Sequence, residues 1–146
     1  MTDRELYQRA VEARIHAYVP YSGFAVGAAL LAEDGRVWTG CNIENAACSP
    51  GNCAERTAFF KAVSAGERHF AAIAVAGGAA EGEVLDFCPP CGVCRQVMRE
   101  FCDPERFRII LGNSEGVLKS FTLEQLLPLS FGAEQLKRVE AVEKQS

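Results

Sequence analysis

Apolar residues recur every three or four positions at the start of the chain. Leu6, Ala10, Ala13 and Ala17, with charged residues between them, predict an amphipathic helix from Asp3 to Tyr18. Pro20 closes it, because the residue before a proline is driven out of helical conformations. Two apolar runs follow, Phe24 to Ala32 and one within Arg36 to Asn42, on either side of Asp34-Gly35, and such a pair of runs predicts a β-hairpin. Its small residues, Gly27, Ala28 and Ala29 among them, suit a strand approached closely by a helix or by a ligand. Ile43 to Asn52, rich in Asn, Ala, Ser, Pro and Gly, reads as loop. The helical period returns from Cys53 to Ala65, carried by Ala58, Phe59, Ala62 and Val63, and Gly66 stops it. A short buried strand from Ala71 to Ala76 precedes a Gly/Ala/Glu-rich loop, and Pro89-Pro90 introduces a helix from Cys91 to Phe101. Strands at Phe107 to Leu111 and Val117 to Phe121, a short helix from Leu123 to Leu127, and a weakly amphipathic helix or frayed tail from Glu134 to Lys144 complete the pattern. The order α-β-β-α-β-α-β-β-α implies an α/β fold, a mixed sheet with helices on its faces, in one domain spanning residues 1–146.

Composition adds constraints. The chain has 146 residues, 49% of them hydrophobic and 23% charged, which is the make-up of an ordinary globular domain. A chain of this length buries roughly 70% of its unfolded surface, so its core does not need a metal to hold it together, and a metal would be there for chemistry. Fifteen Lys and Arg against nineteen Asp and Glu leave a formal charge of −4 with no basic run, which argues against a polynucleotide partner. No apolar stretch approaches the roughly 20 residues that cross a bilayer, so no membrane is expected. Seven cysteines is an odd number, and the first twenty residues lack the apolar core of a signal peptide. The expectation is a reducing cytoplasm and free thiols or thiolates.

Three cysteines stand apart by position. Pro90-Cys91-Gly92-Val93-Cys94 opens one predicted helix and Cys53-Ala54-Glu55 opens another. A helix N-terminus carries about half a positive charge and favours thiolate over thiol. Cys-x-x-Cys alone is compatible with a redox pair, half of a structural zinc site, or two core thiols. A structural zinc site, however, closes its shell with four protein ligands, and here the second motif offers one cysteine and a glutamate. Three thiolates leave a fourth position for water, the mark of a catalytic zinc, and Glu55 beside it suits a general acid/base. Residues two apart on a regular helix point about 200° apart, so Cys53 must sit at the helix edge in an extended conformation if Glu55 is to face the open side of the metal. Three thiolates on Zn²⁺ leave a net negative charge that Arg56, or its competitor Arg95, would offset by donating to sulfur.

These motifs bring the chain into resemblance with the small homotetrameric zinc-dependent cytidine deaminases. The similarity runs through Tyr21 to Ala29, Gly40 to Ala46, Cys53 to Ala58, Pro90 to Val97 and Leu126 to Gly132, in order over nearly the whole chain. It implies a three-layer α/β fold with a mixed five-stranded sheet and helices on both faces. It also implies one Zn²⁺ per chain on Cys53, Cys91 and Cys94, with Glu55 as proton shuttle and Arg56 neutralising the thiolates. Asn42 and Glu44 would hold the ribose, Phe24 would pack against the nucleoside, and Ala54 would contact the pyrimidine through its backbone. Phe131 would stack on the pyrimidine of a neighbouring subunit, so that the homotetramer shares its sites. The implied activity is deamination of cytidine and deoxycytidine to uridine and deoxyuridine with release of ammonia, a reaction of pyrimidine salvage. Position 48 departs from the family pattern, with Cys48 where a tyrosine is usual. Cys48 is not read as a fourth ligand, and Cys41, Cys88 and Cys102 are read as ordinary thiols. A deaminase of a modified nucleoside such as blasticidin shares the cysteine motifs, but not the full Phe24 to Ala29 and Asn42 to Asn45 pattern. A non-catalytic zinc-stabilised module leaves Glu55 without a role.

Overall fold

The computed structural model describes residues 1–137. Helix α1 (Asp3–Ala13) starts at a capping box in which the Thr2 side chain accepts from Glu5 N and the Glu5 carboxylate accepts from Thr2 N. It ends five residues earlier than its apolar period predicts. The chain tightens into a 3₁₀ turn, Arg14–His16, that turns the Arg14 side chain inward.

Strands β1 (Phe24–Ala32) and β2 (Val37–Cys41) form the expected antiparallel hairpin around Asp34-Gly35, where Gly35 adopts φ +95°. Helix α2 (Ala54–Ser64) leads to β3 (Phe70–Ala79), and α3 (Gly92–Phe101) crosses over to β4 (Arg108–Gly112), which β3 pairs in parallel. Strand β5 (Leu118–Thr122) and the one-turn helix α4 (Leu123–Leu126) follow. The sheet order is β2-β1-β3-β4-β5, five strands with one parallel pair, which is the mixed sheet expected. Strand β3 is longer than its apolar run suggests: Gly77, Gly78 and Ala79 pair with Val26, Ala25 and Phe24. The C-terminal helix or tail expected from Glu134 is described only in part. Residues 133–137 are helical, and the remainder lies outside the described residues.

The sheet is covered on both faces, and side-chain alternation decides which residues go where. Ala29, Ala72, Ala74, Ala76 and Ile110 pack under Leu6, Tyr7 and Ala10 of α1. Ala28, Leu30, Ile73, Val75 and Ile109 face α2 and α3. On that second face Phe59 lies 5.1 Å from Phe70 and 6.1 Å from both Phe101 and Phe107, ring centre to ring centre, tying α2 to α3 and the sheet. The approach of α2 to β2 is closer still. A Cβ on Gly40 would lie 2.5 Å from Ala54 O and 2.6 Å from Ala58 N, so only glycine lets the helix backbone lie on the strand. Gly27 is crowded in the same way, by Arg14 and the α1 backbone, so the small residues of β1 accommodate a helix.

Candidate active site

Cys53 and Cys91 occupy equivalent places, each the residue immediately before a helix. Both are extended, at φ −77°, ψ 157° and φ −68°, ψ 168°, and neither thiol caps its own helix. The extended conformation of Cys53 meets the requirement for Glu55, two residues on, to share a chamber with it. Cys94 lies one turn into α3 and is buried. The three sulfur atoms fall within 4.8 Å of one another, with Cys53 Sγ 3.8 Å from Cys91 Sγ. Tetrahedral zinc with Zn–S bonds of about 2.3 Å sets its sulfurs about 3.8 Å apart, so the donor set fits this ion in both chemistry and spacing. All seven cysteines are free thiols.

Arg56 Nη2 donates to Cys53 Sγ at 3.3 Å. Arg95, its competitor, is spent on backbone carbonyls, donating to Pro90 O and Leu126 O, and so braces α3 instead. The Cys94 thiol beside it and then the Arg56 guanidinium pull Cys53 toward thiolate, while the same pairing and burial push Cys94 up. Glu55 is 4% exposed, and burial raises its carboxyl to about 7. It lines a chamber of about 150 Å³ with Val26, Asn42, Cys53, Cys88 and Cys91. Asn42 and Cys53 also line a wider cavity of about 590 Å³ that holds Tyr21, Glu44, Cys48 and Arg56.

The polar residues that follow β2 are firmly held. Asn42 accepts from Val26 N and donates to Phe24 O, both at 2.9 Å, continuing the β1–β2 ladder with a side-chain amide and leaving its second N–H free. Glu44 accepts from Tyr21 N and Ser22 N at 3.1 Å and from the Ser22 hydroxyl. The Ser22 hydroxyl and amide hold its carboxylate below the usual range, so it is ionised at neutral pH. The Phe24 ring lies against Gly77, whose Cβ would come within 2.9 Å of it, and Ala54, the first residue of α2, is fully buried beside the chamber.

Two placements stand out, and only the second departs from expectation. Phe131 does not line the chamber of its own chain: it is 59% exposed, with its carbonyl accepting from Gln96 Nε2. Cys88, read from sequence as an ordinary thiol, lines the chamber opposite Glu55. Its place three residues before Cys91 was the available signal, since Pro89-Pro90 holds the intervening chain extended.

The family described as "Cytidine and deoxycytidylate deaminase zinc-binding region" matches residues 1–110. A cytidine deaminase from Sporosarcina psychrophila is 52% identical over 136 residues, covering 93% of this chain and 96% of that one. Another, from Halalkalibacterium halodurans, is 50% identical over 135 residues, covering 92% and 98%. The crystal structure of cytidine deaminase from Burkholderia pseudomallei superposes with a TM-score of 0.82 at 47% identity, over 90% of this chain and all of that one. That of cytidine deaminase from Mycobacterium tuberculosis does so with a TM-score of 0.75 at 39% identity, over 90% and 98%.

Proposed function

The chain belongs to the zinc-binding cytidine and deoxycytidylate deaminase family, and from that premise we propose how its residues carry out the hydrolytic deamination of cytidine. The activity is zinc-dependent conversion of cytidine to uridine and ammonia. Cys53, Cys91 and Cys94 would hold one Zn²⁺ per chain. Bound there, zinc supplies Lewis acidity that makes a nucleophile of water near neutral pH.

The rest is the work of the chain's own groups. Water adds to C4 of the pyrimidine while Glu55 takes its proton and delivers it to N3. Glu55 then carries the proton of the new C4 hydroxyl to the exocyclic nitrogen, the C4–N bond breaks, and ammonia leaves as the carbonyl forms. The observation that carries this assignment is the convergence of Cys53, Cys91 and the buried Glu55 carboxylate on a single chamber, with Cys94 Sγ within 4.8 Å of both sulfurs. Arg56, donating to Cys53, offsets the thiolate charge.

Next to that chamber, Asn42 and the ionised Glu44 hold the ribose hydroxyls. A carboxylate suits a neutral sugar and repels a 5′-phosphate, so free nucleosides are the substrates, deoxycytidine with cytidine. Phe24 packs against the nucleoside, and the Ala54 backbone contacts the pyrimidine. Phe131 completes the site of a neighbouring subunit in a homotetramer. That reading is supported by the exposure of an apolar segment that α3 holds by hydrogen bonds: Leu129 is 99% exposed and Phe131 59%, Ser130 accepts from Arg99, and Gln96 donates to Phe131 O. The chain acts as one deaminase domain in cytoplasmic pyrimidine salvage. No helix among the described residues is long and apolar enough to cross a membrane.

An ammonia-release assay on cytidine, with zinc measured in the same preparation, tests the proposal. Turnover of blasticidin with cytidine inert, or a zinc-bearing protein that releases no ammonia, would overturn it.

A further inference from the structure

Arg14 is a buried arginine with no acidic partner among the described residues. It is 7% exposed, yet its guanidinium makes only backbone contacts: Nε donates to Ala25 O at 2.9 Å, and Nη2 donates to Ala79 O at 2.9 Å and Gly82 O at 3.2 Å. Taking a guanidinium out of water without a counter-ion is costly, and three neutral carbonyls with the C-terminal dipole of α1 offset only part of that cost. The sheet is nonetheless shaped to admit it. A Cβ on Gly27 would lie 3.0 Å from Arg14 Cγ, and one on Gly78 would lie 2.9 Å from Nη2. An apolar side chain would fill the same slot at less electrostatic cost, so the three hydrogen bonds are the reason for an arginine here.

Those bonds join two segments that wall the nucleoside chamber. Side chains alternate along β1, so Ala25 faces Arg14 while Phe24 and Val26 face the cysteine side of the sheet. Asn42 holds Phe24 O and Val26 N along the strand edge, and Arg14 holds the carbonyl between them. Ala79 and Gly82 bound the bend after β3, from which Leu85 N donates back to Gly77 O and the chain runs on to Cys88, Pro89 and Cys91. The β1–β3 ladder already joins these segments as far as Ala79, and the guanidinium extends the tie to Gly82, in the loop that runs on to Cys88.

We propose that Arg14 is a positioning residue for the deamination, setting from behind the sheet the width of the chamber between Phe24–Val26 and the segment from Ala79 to Cys88. This rests on the placement of the nucleoside against Phe24 argued above. Because Arg14 touches neither the thiols nor Glu55, its loss changes how the nucleoside is held and leaves the proton transfers in place.

The experiment compares Arg14→Met and Arg14→Lys with the wild type in the full chain. It measures kcat and KM for cytidine, uridine affinity by calorimetry, zinc per chain and melting temperature. Arg14→Met is expected to raise KM and weaken uridine binding about tenfold, with kcat within about threefold and zinc unchanged. Arg14→Lys, one ammonium in place of a three-way fork, is expected to recover part of the loss. Folded variants with lowered melting temperature but wild-type KM and uridine affinity would overturn the proposal, as would a fall in kcat alone. If Arg14→Met does not fold, Arg14→Lys decides: a KM raised about threefold supports the proposal and an unchanged KM overturns it. A wild-type protein inert toward cytidine would instead overturn the functional reading itself.

Discussion

Arg56 donates to the sulfur of Cys53 from one turn along the same helix, at 3.3 Å. The bond links the charge of the thiol set to the backbone that presents it, because Cys53 immediately precedes α2 and Arg56 lies in its first turn. Replacing Arg56 by Ala removes the compensating charge and frees the Cys53 side chain. Zinc affinity, measured by competition with a chelator, is expected to fall about 10- to 100-fold. An unchanged affinity would remove Arg56 from the site.

Glu55 is placed for proton transfer, with the thiols supplying the metal ligands. Glu55→Gln keeps the shape and hydrogen-bonding length of the side chain but cannot shuttle a proton. It should retain one zinc per chain while kcat falls by about 10²–10⁴-fold. Loss of zinc together with activity would make Glu55 a ligand.

Much of this site was legible in the sequence because its ligands sit where short-range rules are strong. A cysteine just before a helical period is a helix edge, and both edges lie where the pattern put them. Arg14 was not legible: an arginine near the end of an amphipathic helix reads as part of its polar face, and only the 3₁₀ turn that ends α1 early sends it under the sheet. The far end of β3 was hidden for a related reason. Gly77, Gly78 and Ala79 have the composition of a loop, and their strand conformation comes from pairing with Phe24 to Val26, about a third of the chain away.

The backbone contact at Gly40 gives a stability test. Gly40→Ala places a methyl group against Ala54 O and Ala58 N, where nothing flexible can yield. It should destabilise the fold by about 3 kcal/mol in denaturant unfolding and shift the start of α2, lowering activity in whatever remains folded. A near-neutral substitution would mean that α2 slides freely on β2.

Acid stability has its own residue. Glu67 is 7% exposed, and the amides of His69 and Arg68 hold its carboxylate below the unfolded value of 4.5. A depressed carboxylate contributes stability above its unfolded value and loses it as the pH falls through the folded one. The melting temperature should therefore drop as the pH is lowered from about 5, and Glu67→Gln should flatten that slope. Parallel profiles for the two proteins would contradict this.

The proposed shared site would tie activity to assembly through Phe131. Because the side chain is largely exposed in its own chain, Phe131→Ala should leave the monomer fold intact while raising KM for cytidine. Dilution monitored by light scattering should lower activity as the assembly dissociates, and a fully active monomer would refute the shared site.

The thiol set is held together by tertiary structure. Cys53 and Cys91 are 38 positions apart, and β3, which lies between them in the chain, pairs with β1 on one side and β4 on the other. The Cys91–Cys94 pair is local to α3, whereas the third donor arrives from the edge of α2. The spacing of that third sulfur therefore depends on how α2 packs against α3 through Phe59 and Phe101.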